Sequence, residues 1–556
     1  MRPRLLPMLM LGTAMLPVPA AWAAPEPVLP LTVRPGDTLW GLSNEVLTGP
    51  AAWREVARRN RLPDANRIRP GQVLQVPQRL LRVRPVEARL VLVQGEVELA
   101  GRPAVAGEPV SAGQLLRTGA GASAVVELHD GSRLRVQPAT EAALAESARL
   151  GARMAPQGSG GASEEGWFAG SMRLVRGSLE VVAARLLRAK PLEVQSPTAV
   201  IGVRGTEYRV HHGTDQGTRT EVLEGLVRAE AAGAPQAGVD VAARFGAAIA
   251  AADSPPAVVP LPAAPDLSGL PPLFERVIVR IELPGEPSAL RVQVALDEAF
   301  ERIVSDERVA AGAPVRISGL DDGEWFLRLR RIESRGIEGL DATHRFTLAA
   351  RPEPPAPAAP RASAQVGVGG VEFRWAENVE ALHYHLQVAR DAAFTELVVD
   401  EPQVRGASTR LTLDQPGSYF WRMASVRAPQ GNQRTRGPWT DAQPLTVRAA
   451  PPAPTSGSSA DGTQLALRWS GRPEDRQQVE LSSDPQFGAG TTVRAELTEP
   501  MWTLPRPEQP GTYYFRYRSV EPDGFVTPYS STLKIEVARD WRGLWLLGAP
   551  LLLLLL

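Results

Sequence analysis

Apolar and polar residues alternate with a two-residue period through most of the chain, and this alternation predicts strands rather than helices. In Tyr419–Met423 and Tyr513–Tyr517, every second side chain can face one side of a sheet. Helical spacing is clear near the N-terminus, where Trp53, Val56 and Ala57 fall on one face. The pattern therefore predicts a mainly β, multidomain protein.

The C-terminal half repeats one pattern with a step of 94 residues. A Gly-x-aromatic turn and an arginine five residues after its glycine recur in three copies, and an Asp-x-x-Phe unit recurs with them. Units of about 90 residues with short strands and an early Trp are typical of β-sandwiches, and these resemble fibronectin type III domains in architecture. Three tandem β-sandwiches are predicted at 272–350, 362–448 and 463–538, with Pro- and Ala-rich linkers at 254–272, 352–360 and 449–459.

Residues 31–77 predict a small module of strand, two helices and strand. Asp37 or Thr38 can cap the first helix, and Asn60 suits the end of the second. The opening Val-x-x-Gly-Asp-Thr-Leu-Trp, the helix from Trp53 to Asn60 and the closing Gly-x-x-Leu-x-Val-Pro occur in the order typical of a LysM domain. The segment resembles that family over nearly its full length.

The LysM resemblance implies that peptidoglycan or another N-acetylglucosamine glycan binds in a shallow groove between two loops. Glycines in both loops would let backbone amides approach the acetamido groups. We expect the side chains of Trp40 and Trp53 to lie in the core, while Asp37 either caps the helix or contacts the glycan. The residues that match the groove are Gly36, Asp37, Thr38, Leu39, Trp40, Ile68, Arg69, Pro70 and Gly71.

Residues 82–250 predict a β-rich domain of short strands and glycine turns, interrupted by a Gly/Ser/Glu loop at 155–166. Asp130-Gly131-Ser132, followed later by Gly202-Val203-Arg204-Gly205-Thr206, resembles the FecR domain of envelope sensors. This implies a periplasmic domain that binds an unknown envelope protein. Arg204 and Thr206 are the candidate contacts, and the alternative role for both is a structural hydrogen bond in a turn.

The N-terminus predicts export. Arg2 and Arg4 precede the apolar run from Leu5 to Leu16, and Ala21-Trp22-Ala23 is a cleavage signal. We expect a signal peptide at 1–23, with a retained membrane anchor as the alternative. The protein is then located in the periplasm or cell envelope.

The C-terminal tail at 541–556 is hydrophobic and ends in six leucines. As a helix, its uncharged part would span roughly 20 Å, short of a hydrocarbon core of about 30 Å. The tail would therefore either insert shallowly into a membrane, with Trp541 and Trp545 as interfacial anchors, or pack on the last sandwich.

Composition excludes several functions. Basic and acidic residues both number 61, so no global field favours nucleic acid. The absence of cysteine excludes disulfides, thiol catalysis, Cys-ligated metals and a lipid-modified N-terminal cysteine.

Candidate chemistry is sparse. The sequence shows no phosphate-binding loop, hydrolase elbow or metalloprotease motif. The pairs His211-His212 and His383/His385 supply too few ligands for zinc, and Glu164-Glu165, placed in a loop, cannot hold the separation a glycosidase needs. We therefore predict no catalytic residues, no metal site and no cofactor.

The sequence thus predicts a non-catalytic envelope protein that tethers a multidomain scaffold or sensor to the cell wall through its LysM-like module. The alternative is a FecR-type periplasmic signalling protein. An accessory role to a wall hydrolase is a weaker third interpretation, because no catalytic set accompanies the LysM-like module.

Overall fold

The computed structural model describes residues 27–154, 164–184, 190–203, 205–215, 217–429, 431, 434–458 and 462–538. The predicted signal peptide and hydrophobic tail lie outside these residues. The described residues divide into two compact units: the first comprises those up to 272 together with 280–316 and 324–346, and the second comprises 273–279, 317–323 and those from 347 onwards. Most of the first predicted sandwich therefore groups with the N-terminal domains. The mainly β fold class is confirmed.

The N-terminal module has the predicted order of strand, two helices and strand. Its elements are β1 (Val28–Thr32), α1 (Leu39–Glu45), α2 (Trp53–Arg59) and β2 (Val73–Pro77), followed by a 3-10 turn at Gln78–Leu80. β1 and β2 pair antiparallel, with Leu31 opposite Leu74, and both side chains are buried. The alternation of buried and exposed residues in these strands places one face of the pair on the module's core.

Two polar side chains fix the helices of this module. Thr38 caps α1, because its Oγ1 accepts a hydrogen bond from the amide of Gly41 at 3.0 Å. Asn60 follows α2 and donates from Nδ2 to the carbonyls of Val56 at 2.7 Å and Gln75 at 3.0 Å. The amide of Gln75 donates back to Asn60 Oδ1 at 2.7 Å, so this residue ties the helix to β2.

The FecR-like region consists of strands β3 to β20. Their bounds are β3 Val83–Pro85, β4 Ala88–Gln94, β5 Val97–Leu99, β6 Arg102–Pro103, β7 Pro109–Val110, β8 Leu115–Thr118, β9 Ser123–Glu127, β10 Arg133–Val136, β11 Glu141–Met154, β12 Glu164–Val182, β13 Leu192–Gln195, β14 Ala199–Val203, β15 Glu207–His212, β16 Thr218–Glu224, β17 Leu226–Ala231, β18 Ala234–Ala242, β19 Phe245–Ile249 and β20 Ala257–Pro260.

Strand β12 belongs to both sheets of this region. Its first part pairs with β11 and β13, and its last part pairs with β10 and β15. Small and branched apolar side chains from both sheets fill the core, among them Leu90, Leu134, Leu179, Ile201 and Val227. The long hairpin of β11 and β12 leads out of this core towards the N-terminal module.

The loop predicted at 155–166 includes three residues that belong to a strand. β11 ends at Met154 and β12 begins at Glu164, so 164–166 are strand, with Glu165 opposite Arg153. Residues 155–163 lie outside the described residues. Glu164-Glu165 were wrongly assigned to a loop, because ladder pairing with β11 outweighs the local turn composition.

Each of the three repeats is built from two sheets. The first contains β21 Leu273–Phe274, β22 Val279–Ile281, β23 Ala289–Ala295, β24 Ile303–Val309, β25 Val315–Ile317, β26 Gly323–Ile332 and β27 Ala342–Leu348. The second contains β28 Ala356–Ala359, β29 Ala364–Gly367, β30 Gly369–Ala376, β31 His383–Ala389, β32 Leu397–Val404, β33 Ser408–Leu413, β34 Gly417–Val426, β35 Arg436–Trp439 and β36 Gln443–Arg448. The third contains β37 Thr455–Ser458, β38 Gln464–Arg468, β39 Arg476–Ser482, β40 Thr492–Leu497, β41 Met501–Pro505, β42 Gly511–Val520 and β43 Leu533–Val537.

The residues that recur in the three repeats occupy equivalent positions in the structure. In every repeat the Asp-x-x-Phe turn places its phenylalanine at positive φ, and the arginine of the facing strand stacks on that ring. The guanidinium carbon lies 4.4 Å from the ring centroid for Arg328 and Phe300, 3.9 Å for Arg422 and Phe394, and 3.8 Å for Arg516 and Phe487.

The predicted linkers are partly strands. β20, β28 and β37 all lie in Pro- and Ala-rich stretches and pair with β19, β30 and β38 respectively. Proline is tolerated at the edge of a sheet, where its missing amide costs no ladder bond. The extended backbone expected of a spacer therefore serves here as an edge strand.

Candidate functional site

Two loops of the N-terminal module form the candidate groove. The amide of Val33 donates to the carbonyl of Gln72 at 2.8 Å, and the amide of Gly71 donates to the carbonyl of Val33 at 2.8 Å. These bonds extend the pairing of β1 with β2 and place the loop at 34–38 beside the turn at 68–72. The arrangement brings together the two segments that the sequence assigned to glycan binding.

Gly36 and Gly71 form the exposed tips of these loops. Their φ angles are +87° and +83°, a left-handed conformation that favours glycine. No atom of the described residues lies within 4 Å of where a Cβ would stand. The glycines are therefore required by backbone conformation, and they leave both tips open to solvent.

The other predicted groove residues divide by exposure. Thr38, Arg69 and Pro70 are exposed, and Trp40 is 66% exposed. Leu39 is 3% exposed and Ile68 packs on the same core, so their side chains are structural. The expectation that Trp40 lies in the core was wrong, because its position in the first turn of α1 faces solvent. Trp53 packs against the core as expected.

Asp37 neither caps the helix nor stands free in the groove. Its Oδ2 accepts the amide of Arg34 at 2.6 Å and lies 3.0 Å from Nη1 of Arg153. The amide of Asp37 donates to the carbonyl of Arg34 at 3.1 Å. Asp37 thus closes the 34–38 loop on itself and anchors it to another part of the chain.

Arg153 is the partner that sequence reasoning missed. It lies on β11 of the FecR-like region, is 7% exposed, and donates from Nη2 to the carbonyl of Thr32 at 2.6 Å. A charge that is buried to this degree requires a partner, and Asp37 supplies it. The two residues are 116 positions apart, and no local pattern marks the pair.

The two domains also share an apolar core. Leu150 of β11 and Ala169 of β12 are buried in the same cluster as the leucines of the N-terminal module, and Trp167 packs against that cluster. A Cβ at Gly151 would lie 2.9 Å from side-chain atoms of Leu81 and Val46. The hairpin therefore completes the core of the module that carries the groove.

In the FecR-like region, Arg204 and Thr206 are the residues predicted to contact a partner. Arg204 lies outside the described residues. Thr206 is 3% exposed, and its carbonyl accepts the amide of Ala183 at 3.0 Å. Its Oγ1 has no hydrogen-bond partner among the residues that the structure describes. This burial agrees with the structural role and places the Thr206 side chain out of a partner's reach.

His211 and His385, one histidine from each pair, have protein partners. His211 Nδ1 lies 2.7 Å from Ser178 Oγ, and burial lowers the pKa of His211 to about 4. His385 Nε2 lies 2.5 Å from Asp400 Oδ1. Among the described residues, no group of three or more His, Asp or Glu side chains could hold a metal ion.

A buried ionic network joins the FecR-like region to the first repeat, and sequence reasoning missed it as well. Glu180 of β12 accepts Arg328 at 2.9 Å and Arg330 at 2.6 Å through Oε1. Arg330 also donates to Glu338 at 3.0 Å. The ionised side chains of this network are Glu180, Arg209, Arg291, Asp306, Arg328, Arg330, Glu338 and Asp341.

The acids in and beside this network have pKa values that are shifted in opposite directions. Burial alone would raise the pKa of Glu180, but the charges of Arg328 and Arg330 hold it well below its ordinary value. Glu221 is 1% exposed and accepts the amide of Glu338 at 3.1 Å. Burial, together with the charge of Glu338, raises the pKa of Glu221 to about 7.

Comparison with protein families identifies two domains. The LysM domain model matches residues 31–77, and the FecR protein model matches residues 114–228. The chain therefore carries a LysM domain and a FecR domain, and both resemblances drawn from the sequence are confirmed. No curated protein matches the chain.

Similar solved structures cover parts of the chain. A putative anti-sigma factor from Parabacteroides distasonis matches at 14% identity and a TM-score of 0.20, over 26% of this chain and 59% of that protein. Fibronectin(III)-like modules of Clostridium thermocellum CbhA match at 13% identity and 0.19, over 33% and 94%. The FN1-FN3 domains of chicken CNTN1 match at 13% and 0.19, over 49% and 100%. At these TM-scores the likenesses carry no functional argument.

The part of the chain that the structure describes contains no helix long and apolar enough to cross a membrane.

Proposed function

We propose that this chain, with its LysM and FecR domains, is an exported, non-catalytic protein of the periplasm or cell envelope that binds peptidoglycan. The LysM domain would hold the glycan, and the FecR domain and the repeats would form the scaffold or sensor that it tethers. The observation that carries the proposal is the paired loops at 34–38 and 68–72, whose glycine tips are exposed, together with the exposed Trp40 that follows the first loop.

The chemistry of the groove suits a weak, shape-based glycan contact. Backbone groups near Gly36 and Gly71 can meet acetamido groups, and the exposed indole of Trp40 offers an apolar surface to a sugar ring. Each hydrogen bond would contribute about 0.5–1.5 kcal/mol net. A single module would then be retained on the wall by the high effective concentration of repeating sugars.

The test is co-sedimentation of the full mature chain with purified sacculi. Trp40→Ala should reduce the bound fraction several-fold without lowering the melting temperature, because the side chain is exposed and outside the core. Val105→Ala is the matched control, since Val105 is an exposed apolar residue (65%) of the FecR region. Equal retention of wild type and Trp40→Ala, or no retention of wild type, would count against glycan binding through this groove.

A second candidate function is periplasmic signalling, which the FecR match at 114–228 favours. The FecR domain would bind an envelope protein and pass a signal on. Direct transduction needs a route to the cytoplasm, so a topology reporter fused after Leu556 separates the two functions. A reporter that stays periplasmic argues for the tethered scaffold.

A further inference from the structure

The FecR hairpin contacts the 34–38 loop through the buried charge of Arg153. Arg153 contacts Asp37 Oδ2 at 3.0 Å and the carbonyl of Thr32 at 2.6 Å, and both acceptors belong to the LysM domain. Asp37 in turn closes the loop that carries Gly36 and precedes Trp40. The conformation of the groove therefore depends on a side chain from outside the LysM domain.

We propose that the β11–β12 hairpin is part of the glycan site, with Arg153 as the residue that positions the 34–38 loop for binding. The inference rests on the proposed glycan-binding function and deepens it, since it names how the site is regulated. It predicts that glycan occupancy and hairpin packing are linked.

The physical reason is preorganisation. A shallow groove relies on several weak contacts, so any freedom of the loop has to be removed when the glycan binds. Without Arg153, Asp37 would retain the amide of Arg34, and the carbonyl of Thr32 would lose a charged donor. The loop would then sample shapes that do not bind, and the binding-competent fraction would fall.

Linkage makes the effect reciprocal. If the ion pair strengthens glycan binding, glycan binding must stabilise the ion pair by the same factor. The hairpin is continuous with the FecR core, because β12 runs from beside the LysM core to Glu180 in the ionic network. Glycan binding in the groove would therefore stabilise the part of the FecR domain that is continuous with the hairpin.

The test uses the full mature chain and a sacculus-binding isotherm. Arg153→Met keeps the aliphatic stem and removes the charge, and we expect it to weaken retention by about tenfold, a usual size for coupled sites. Arg173→Met is the matched control, because Arg173 is an exposed arginine on β12 of the same hairpin. Arg153→Lys should recover part of the affinity, since it restores one charged contact.

A second measurement does not depend on the variant folding. Hydrogen exchange of wild type, with and without excess N-acetylglucosamine tetramer, should show added protection at 149–154 and 164–169. Arg153→Met that binds like wild type, or a hairpin whose protection is unchanged by bound tetramer, overturns the inference. Wild type that binds neither sacculi nor tetramer refutes the proposed function instead.

Discussion

Replacement of Glu221 by glutamine should remove a pH-dependent loss of stability from the interface between the FecR domain and the first repeat. The Glu221 carboxyl is 1% exposed and has a pKa of about 7, raised by burial and by the charge of Glu338. Glutamine has nearly the same shape, and its Oε1 can still accept the amide of Glu338. The substitution therefore changes the charge and little else.

The sign follows from the raised pKa. In the unfolded chain Glu221 ionises near its ordinary value of 4.5, while in the folded protein it stays protonated until pH 7. Its contribution to stability is complete below pH 4.5 and is lost as pH rises to 7. At about 1.4 kcal/mol per pH unit, the loss amounts to about 3 kcal/mol. Above pH 7 the contribution is constant.

The assay is hydrogen exchange at β15 and β16 between pH 5 and 8, corrected for intrinsic exchange rates and converted to opening free energies. The lowered pKa of His211 on β15 makes stability rise with pH below about 6.5 in both proteins, so the readout is the difference between them. Relative to wild type, Glu221→Gln should gain stability as pH rises from 5 to 7 and should be the more stable of the two at pH 8. Glu307→Gln is the control, because Glu307 is an exposed acid on β24 of the same repeat. A wild-type profile that runs parallel to that of Glu221→Gln would refute the reasoning.

Two further substitutions test the packing. Thr206→Val should be neutral or stabilise by up to about 1 kcal/mol, because the buried Oγ1 has no partner in the described part of the chain and no hydrogen bond offsets its removal from water. Gly151→Ala should destabilise by about 1–3 kcal/mol, because φ is +58° and the added methyl would meet Leu81 and Val46. Thermal or urea unfolding of the full chain measures both effects. A loss above 1 kcal/mol for Thr206→Val, or an unchanged Gly151→Ala, would contradict these contact assignments.

The LysM groove shows how far sequence reasoning extends. The motif located both loops and both glycines, because a positive φ at a tip is a local property that glycine alone meets at little cost. It did not decide between Asp37 and Thr38 as the helix cap, since both side chains can accept the same amides. It also placed the indole of Trp40 inside, whereas the first turn of α1 carries this side chain outwards.

The sequence by itself determined what depends on neighbouring residues. These features are the alternation that builds the strands, the glycine tips of the two groove loops, the 94-residue repeat, and the absence of thiol chemistry. The tertiary structure alone decided the pairings across domains: Arg153 with Asp37 over 116 positions, and Glu180 with Arg328 and Arg330 over 148 and 150. In an alternating strand pattern, a charged residue predicts that its side of the strand faces solvent. Burial shows otherwise only after another domain covers that face, because the cost of removing a charge from water depends on what it then meets.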